Sequence, residues 1–312
     1  MLRGRTRGLD IAVAQRHKRR TTIFRKLRRF PEMRLHRMDD VAGCRLIFPD
    51  IDALRVFRAG LHSAKFQHKL RNDPDKYDYI TTPKPDGYRG IHDVYVYDVR
   101  GKGGAAYKGL QIELQYRTIY QHAWATCVEV IGFVTQSNPK FKEGDKRYEQ
   151  IMILASELIA RVWEGVSGPL PDLSNNDLVN AFSALDTDLG FIDMLRALNA
   201  SDEVLRGRSQ NLILIFSRDE PLEIRAYSTD REALSALLDL EIDAMFGEKD
   251  IVAVRGNKKD VRTAFRNYFT DARDFLEFID QALEETTNQA IRDEAVLVDA
   301  NLNRVFGLDR HL

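Results

Sequence analysis

Residues 108–117, KGLQIELQYR, alternate strictly between polar and apolar side chains from Gln111 onward. Because successive side chains of a β-strand point to opposite faces, this alternation predicts a strand with one apolar and one polar face. The polar face presents Gln111, Glu113, Gln115 and Arg117 in a row. Such a row is typical of a half-exposed antiparallel strand, but a carboxylate between amides and a guanidinium also suits a metal ion and phosphates. The alternation alone leaves both interpretations open.

A second strand is predicted at residues 42–48, AGCRLIF, directly after two acidic residues, Asp39 and Asp40. An acid at the start of a strand can enter a cleft at the edge of a sheet, although Asp39 fits a turn-capping role equally well. Mg²⁺ prefers one or two carboxylates together with water and substrate phosphate oxygens. Asp40 and Glu113 would form such a pair if the two strands are neighbours.

A long loop dense in Pro, Asp, Gly and Lys is predicted at residues 72–88, NDPDKYDYITTPKPDGY. Loops of this length inside a compact domain are usually functional or disordered. Lys84 and Arg89 can neutralise phosphate charge, and Tyr88 can stack on a nucleotide base. His92 falls on the same strand face as Tyr88 by parity, where it is either a site residue or a structural, hydrogen-bonded histidine.

The remaining pattern predicts an α/β (α+β) protein in which a mixed sheet is flanked by helices. Helical spacing of apolar residues predicts helices over residues 9–30, 50–64, 118–133, 145–165 and 177–206. Further strands are expected over residues 65–71 and 89–99.

A segment rich in Pro, Gly and Asn at residues 165–176 predicts a boundary between a domain at 1–168 and a second domain at 177–312. The second domain is predicted to contain a small ββαβα unit. Its strands are expected at 211–217, 222–228 and 250–255, and its helices at 230–246 and 258–285.

Charge is distributed unevenly along the 312 residues, although the net charge is zero. Residues 1–38 hold 13 Lys and Arg against 2 Asp and Glu, and residues 170–312 hold 16 against 28. The basic head predicts a phosphate-rich partner, or a head that rests on the chain's own acidic tail.

The composition excludes several classes of protein. With 44% hydrophobic and 30% charged residues, the chain is neither mostly disordered nor collagen-like. Two cysteines are too few for a disulfide framework, and no apolar run is long enough to span a membrane. The arginine-rich first 30 residues lack the apolar core of a secretory signal, so we expect a cytoplasmic location.

Four segments, taken together and in this order, resemble the synthetase domain of the RelA/SpoT family, the (p)ppGpp synthetases. The first runs from Arg16 through Lys18 and Ile23 to Lys26, and the second is DVAGCR at residues 40–45. The third and fourth are DYITTPKPDGYRGIH at residues 78–92 and ELQYRTIYQHAWA at residues 113–125.

The resemblance implies a nucleotidyltransferase-like fold and a pyrophosphokinase reaction. In that reaction a guanosine nucleotide 3′-hydroxyl attacks the β-phosphorus of ATP, giving (p)ppGpp and AMP. By matched position, the residues that hold Mg²⁺ and carry catalysis would be Asp40 and Glu113. Those that bind ATP would be Arg16, Lys18, Lys26 and Arg45. Those that bind the acceptor would be Lys84, Tyr88, Arg89, His92, Gln115 and His122.

The sequence departs from the family pattern at Gly90, where the family usually has serine, and at Tyr116, where it has isoleucine. Both departures leave the acceptor open. GDP or GTP is the first expectation, and the 3′ end of tRNA or an adenosine nucleotide is the alternative. A non-catalytic nucleotide-sensing module is a second alternative. We expect no hydrolase half and no membrane partner.

The C-terminal domain matches none of these motifs. Its candidate roles are oligomerisation, binding of a protein partner, or restraint of the basic head. A homo-oligomer is expected at the level of the family.

Overall fold

A five-stranded mixed sheet forms the first half of the chain in the computed structural model. The structure describes residues 2–17, 20–99, 101–134, 145–199, 211–216, 223–243, 245, 250–255 and 272–306. The strands of the sheet are β1 (Ala12–His17), β2 (Ala42–Phe48), β3 (Lys69–Leu70), β4 (Ile91–Val96) and β5 (Gln111–Thr118). Their spatial order is β1-β2-β5-β4-β3. This architecture confirms the predicted mixed sheet flanked by helices.

The two strands that carry the acidic residues are direct neighbours at the centre of the sheet. β2 and β5 pair in parallel, with Gly43 opposite Glu113 and Arg45 opposite Gln115. The other pairings, β1 with β2, β4 with β5 and β3 with β4, are antiparallel. Parallel neighbours place the starts of both strands at one edge of the sheet, so the turn that holds Asp40 lies beside the start of β5.

The helix predicted over residues 9–30 is wrong in its first half. Two short helices, α1 (Leu2–Arg5) and α2 (Arg20–Arg29), flank β1 instead. Ile11 and Val13 stand two residues apart, and both pack against the apolar core under the sheet. That spacing is the period of a strand, and pairing along β2 overrides the weak helical pattern.

Two layers of helices enclose the sheet. One face packs its apolar residues, Leu46, Phe48, Leu114 and Tyr116 among them, in the core cluster beside α3 (Ile51–His62). Helix α4 (Ile119–Val134) follows β5 directly and contacts both β2 and β5, and α5 (Lys146–Glu164) packs on α4. The polar residues of β5 alternate with this apolar set, so they lie on the opposite face of the sheet.

The helix predicted at 177–206 is two helices within the described residues, α6 (Asn175–Leu189) and α7 (Phe191–Asn199). Gly190 ends the first of them with φ +57, a left-handed backbone that glycine adopts without steric cost.

The core around α4 and α5 continues across the predicted domain boundary. Helix α9 (Arg273–Phe306) contacts α4, α5, α6 and α7, and Phe182, Phe191, Phe275 and Ile279 are all buried in one cluster with residues of α4 and α5. The division at residues 165–176 remains a prediction, but helices from both sides of it share one core.

A second sheet has three antiparallel strands, β6 (Asn211–Phe216), β7 (Glu223–Tyr227) and β8 (Asp250–Arg255), in the order β7-β6-β8. Helix α8 (Asp230–Ile242) starts at a capping box formed by Thr229 and Glu232, and packs on this sheet. Residues 256–271 lie outside the described residues, and so does the start of the helix predicted at 258–285. Among the described residues, no helix combines the length and the apolar character needed to cross a bilayer.

Candidate functional site

A cleft opens where β2 and β5 begin. Asp40, Gly43, Cys44, Glu113 and Gln115 line it. Asp40 stands in the turn before β2, and Glu113 lies on the polar face of β5. The two acids are separated by more than 70 positions in the chain, but the parallel pairing of the strands brings both to this cleft.

Two basic residues hold the turn that carries Asp40. Lys26, on α2, places its Nζ atom 3.1 Å from Oδ1 of Asp40 in a partly exposed ion pair. Arg71 forms an ion pair with the neighbouring Asp39 and also donates a hydrogen bond to Gln111 at the start of β5. The pair of acids at residues 39–40 is therefore divided, because Asp39 ties the turn to the sheet while Asp40 lines the cleft.

Both carboxylate oxygens of Glu113 accept hydrogen bonds. Oε1 lies 2.8 Å from Nδ1 of His92, and Oε2 lies 2.7 Å from Nε2 of Gln115. The register of the sheet explains these contacts, since His92 on β4 stands opposite Gln115 on β5. The Glu113 side chain, which is 13% exposed, is thus oriented from both sides but still reaches the cleft.

Gly43 permits the close approach of β2 to β5 beside Glu113. A Cβ atom at this position would lie 2.4 Å from the backbone oxygen of Glu113. No side chain fits there without moving a strand. The cleft therefore depends on a glycine at this position.

Tyr88 lies at the end of the long loop and contacts two polar residues of the site. Its hydroxyl oxygen is 2.5 Å from Nε2 of His92, and Arg117 donates to it from Nε at 3.3 Å and from Nη2 at 3.2 Å. Burial raises the pKa of Tyr88, but the charges of Arg117 and His92 outweigh burial and bring this pKa to about 7. Burial lowers the pKa of His92, whereas the contacts with Tyr88 and Glu113 raise it to about 9.

Lys84 and Tyr79 extend the aromatic part of the site. The Nζ atom of Lys84 lies 4.3 Å from the ring centre of Tyr79 and 5.2 Å from that of Tyr88. Such cation–π contacts hold the ammonium beside the two rings and keep a positive charge next to Tyr88. Tyr79 and Arg117 were not among the predicted site residues. Their signal was present in the sequence, because Tyr79 lies within the DYI segment and Arg117 continues the polar row of β5.

Of the predicted ATP-binding residues, Arg16 lies on β1, Arg45 on β2 and Lys26 on α2. The pairing places Arg16 opposite Gly43 and Arg45 opposite Ala14, so both positions share the sheet face of Glu113. Arg45 is buried, with 4% of its surface exposed. Lys18 lies outside the described residues, and the structure describes the position of Arg16 on β1 but not its side chain.

Arg89, predicted to contact acceptor phosphates, is not at the cleft. It is 2% exposed and forms an ion pair with Glu164 at the end of α5, while its Nε donates to Ser156. Glu164 also accepts hydrogen bonds from Thr118 and Gln121. This buried network joins the loop to α5, and the position of Arg89 does not support an acceptor contact.

Two further positions have a defined place. His122 is buried in α4, one turn after β5 ends. Tyr116 is fully buried on the sheet face opposite Glu113, where its ring stacks on Phe48. The departure from the family pattern at Tyr116 therefore changes the core under the sheet and leaves the polar face unaltered.

The residues of the cleft fit a Mg²⁺ ion. Two carboxylates, from Asp40 and Glu113, line it, and Mg²⁺ takes one or two carboxylates and fills its remaining positions with water and phosphate oxygens. The buried Oε1 atom of Gln115, in the same cleft, has no hydrogen-bond partner within the described part of the chain. In that part no group of three or more His, Cys, Asp or Glu side chains forms a cage made wholly of protein ligands.

Comparison with known proteins shows what the region around this site is similar to. Residues 15–133 match the family model described as the region found in RelA / SpoT proteins. The chain is 28% identical over 165 residues to the uncharacterized protein Mb1401 of Mycobacterium bovis and to Rv1366 of Mycobacterium tuberculosis. The match covers 53% of this chain, and the chain spans about half the length of these relatives, 53% in each case.

Among solved structures, the chain is similar to small alarmone synthetase 1 from Bacillus subtilis, with 26% identity and a TM-score of 0.39, covering 48% of this chain and 72% of that one. It is also similar to small alarmone synthetase 2 from Bacillus subtilis, with 23% identity and a TM-score of 0.41, covering 50% and 79%. Every residue that lines the cleft lies within residues 15–133, the segment that matches this family model.

Proposed function

We propose that this chain is an ATP-dependent pyrophosphokinase that transfers the β,γ-diphosphate of ATP to the 3′-hydroxyl of GDP or GTP. The observation that carries the proposal is that Asp40 and Glu113 line one cleft, with Tyr88 joined to Glu113 through His92. The match of residues 15–133 to the RelA / SpoT family model supports the reaction class.

On the donor side, the chain supplies positive charge from α2 and a guanidinium from β2. Lys26 is close enough to Asp40 to reach phosphates bound in the cleft. Arg45, with Arg16 on the adjacent strand, offers planar groups that suit an aromatic base better than lysine would. Transfer of a phosphoryl-type group depends mainly on positioning and charge neutralisation, which these residues can provide.

On the acceptor side, Tyr88 would stack on the guanine base while Lys84 adds charge beside it. The 3′-hydroxyl loses its proton to the Glu113 carboxylate, and its oxygen bonds to the β-phosphorus. The bond from that phosphorus to the α–β bridging oxygen breaks, and AMP leaves with the electron pair. A Mg²⁺ ion held by Asp40 and Glu113 would supply further neutralisation of phosphate charge.

The test is a transfer assay with ATP labelled at its β-phosphorus. The purified chain is offered GDP, GTP, ATP alone or deacylated tRNA, and AMP and labelled products are separated. Label in a guanine nucleotide, matched by AMP, is the expected result.

Each other outcome selects a different function. Label in tRNA or in an adenosine nucleotide, with none in guanine nucleotides, overturns the proposed acceptor but keeps the donor chemistry. Absence of transfer to all four acceptors overturns the enzyme proposal and favours a nucleotide-sensing module.

A further inference from the structure

The hydroxyl of Tyr88 is held more firmly than base stacking requires. Arg117, which is 6% exposed, donates to it from two nitrogens, and His92 contacts it at 2.5 Å. Stacking uses the face of an aromatic ring, so a phenylalanine would serve it as well. Two polar partners on the hydroxyl, the buried Arg117 and the half-buried His92, indicate a role for that group.

The second ring nitrogen of His92, Nδ1, contacts Glu113, so the imidazole ring connects Tyr88 to Glu113. Because an ionised carboxylate can only accept, Nδ1 of His92 carries a hydrogen and donates it to Oε1 of Glu113 at 2.8 Å. Nε2 of the same ring then faces the Tyr88 hydroxyl. The result is an unbroken hydrogen-bonded chain from Arg117 through Tyr88 and His92 to Glu113.

Gly90 leaves room for this arrangement. A Cβ atom at residue 90 would lie 3.2 Å from the Tyr88 hydroxyl oxygen and 3.3 Å from Cγ of Arg117. Any larger residue would press on the two groups that meet there. The departure from the family pattern at Gly90 therefore coincides with the space that the Tyr88 hydroxyl and Arg117 share.

We propose that the Tyr88 hydroxyl and Arg117 are positioning groups: they orient His92, and His92 orients the Glu113 carboxylate. This inference rests on the proposed function, in which Glu113 receives the proton of the acceptor's 3′-hydroxyl. The residue that stacks on the acceptor base thus also sets the group that activates the acceptor's hydroxyl. The partner of one ring nitrogen of a histidine commonly fixes the orientation of the ring. Loss of the groups that hydrogen-bond to a metal-ligating carboxylate, the role proposed for Glu113, commonly costs about 10- to 100-fold in activity.

Tyr88→Phe and Tyr88→Ala separate the hydroxyl from the ring. Tyr88→Phe keeps the ring, so we expect the acceptor Kd, measured by calorimetry with GTP, to stay unchanged while kcat falls about 10- to 100-fold. Tyr88→Ala also removes the stacking surface, so the acceptor Kd rises about 5- to 150-fold. A purely structural tyrosine would not divide its effects in this way.

Arg117→Met removes the hydrogen bonds at the opposite end of the series, those that Arg117 donates to Tyr88. Tyr97→Phe is the matched control. Arg117→Met leaves the Tyr88 ring in place, so it should lower kcat with little change in acceptor Kd. Tyr97 lies just after β4, and its ring stacks on His68, away from the cleft. We expect loss of the Tyr97 hydroxyl to leave both kcat and the acceptor Kd unchanged. Thermal unfolding of each variant verifies that it is folded.

An NMR measurement tests the hydrogen bonds of His92 with Tyr88 and Glu113 without requiring turnover. With ¹⁵N-labelled histidine, Tyr88→Phe should shift the Nε2 signal of His92, and Glu113→Gln should shift its Nδ1 signal. Unchanged His92 signals in both variants, or a Tyr88→Phe enzyme with wild-type kcat, overturn the inference while the proposed function stands. A wild-type chain that transfers nothing to any acceptor overturns the proposed function, and this inference with it.

Discussion

The Nζ atom of Lys26, on α2, lies 3.1 Å from Oδ1 of Asp40, so one of the two carboxylates of the cleft forms an ion pair with a lysine. A divalent cation that bound Oδ1 of Asp40 would compete with this ammonium group for the oxygen. Lys26 is also one of the residues predicted to bind ATP phosphates. Occupation of the cleft by a cation and ATP is therefore expected to move this side chain from Asp40 to the phosphates.

Lys26→Met removes the competing charge. We expect the affinity for Mn²⁺, measured by electron paramagnetic resonance without nucleotide, to rise about 1.5- to 5-fold, the range for partly exposed ion pairs. The kcat/KM for ATP should fall in the same variant, while Lys26→Arg keeps most of it. Weaker Mn²⁺ binding by Lys26→Met would contradict this account of the pair.

Gly43→Ala tests the close approach of the two central strands. Its Cβ would lie 2.4 Å from the Glu113 backbone oxygen, so β2 and β5 must separate. We expect a loss of about 1–3 kcal/mol in the free energy of unfolding, measured with urea, and reduced transfer activity. Gly60→Ala on α3 is the matched control, since nothing lies within 4 Å of its added Cβ, and it should stabilise by up to about 1 kcal/mol. Equal stability of the two variants would show that the strands tolerate a side chain there.

Arg89→Met tests the buried ion pair with Glu164. Removing one partner leaves the carboxylate charge buried, and such changes cost about 3–5 kcal/mol. Adding Glu164→Leu to Arg89→Met should recover part of that loss. A stable Arg89→Met chain with a raised acceptor KM would instead place Arg89 among the acceptor-binding residues.

Asp78 predicts a pH dependence of stability. Burial raises the pKa of this carboxyl, but Arg55 and the backbone N–H groups of Thr81 and Ile80 outweigh burial and lower it. A carboxyl with a lowered pKa stabilises the fold above its unfolded value, about 3.9, and that contribution disappears as pH falls through the folded value.

Asp78→Asn is the variant that isolates this contribution. Urea unfolding of the wild type between about pH 5 and pH 2 should show stability falling with acid, and the Asn variant should lack Asp78's part of that slope. Identical slopes for both proteins would exclude Asp78 as a source of the pH dependence.

Sequence reasoning predicted the centre of this protein well. The alternation in β5 and the acid before β2 identify Asp40 and Glu113 as a candidate pair, and the parallel pairing of β2 with β5 then brings both residues to the cleft. Side-chain parity also placed His92 with Tyr88. These features are local or depend on a single pairing, and for that reason a pattern in the sequence can reveal them.

The sequence does not reveal features that depend on contacts between residues distant in the chain. β1 was missed because a six-residue edge strand carries little periodicity of its own and forms by pairing with β2. The assignment of Arg89 to the acceptor stays a prediction. Its charge suits phosphate, and nothing local indicates its ion pair with Glu164, 75 positions later.

The C-terminal region packs into the core of the first half of the chain, and this limits how its role can be tested. The segment rich in Pro, Gly and Asn at residues 165–176 predicts a separate domain, and deletion of residues 177–312 would be the obvious test of restraint on the basic head. Phe182, Phe191 and Phe275, however, share a core with α4 and α5. Deletion would expose that core, so substitutions of exposed acidic residues, such as Asp239 on α8 and Asp243 directly after it, are the sharper test.

The central claim is that Asp40 and Glu113 act together in one cleft. The most direct measurement is the rate of AMP release with GTP as acceptor for the wild type, Asp40→Asn, Glu113→Gln and the double variant. Because groups that act as a unit show strongly non-additive effects, each single variant should lose nearly all activity and the double variant no more than either. Losses that add, or a single variant near the wild-type rate, would contradict a shared site.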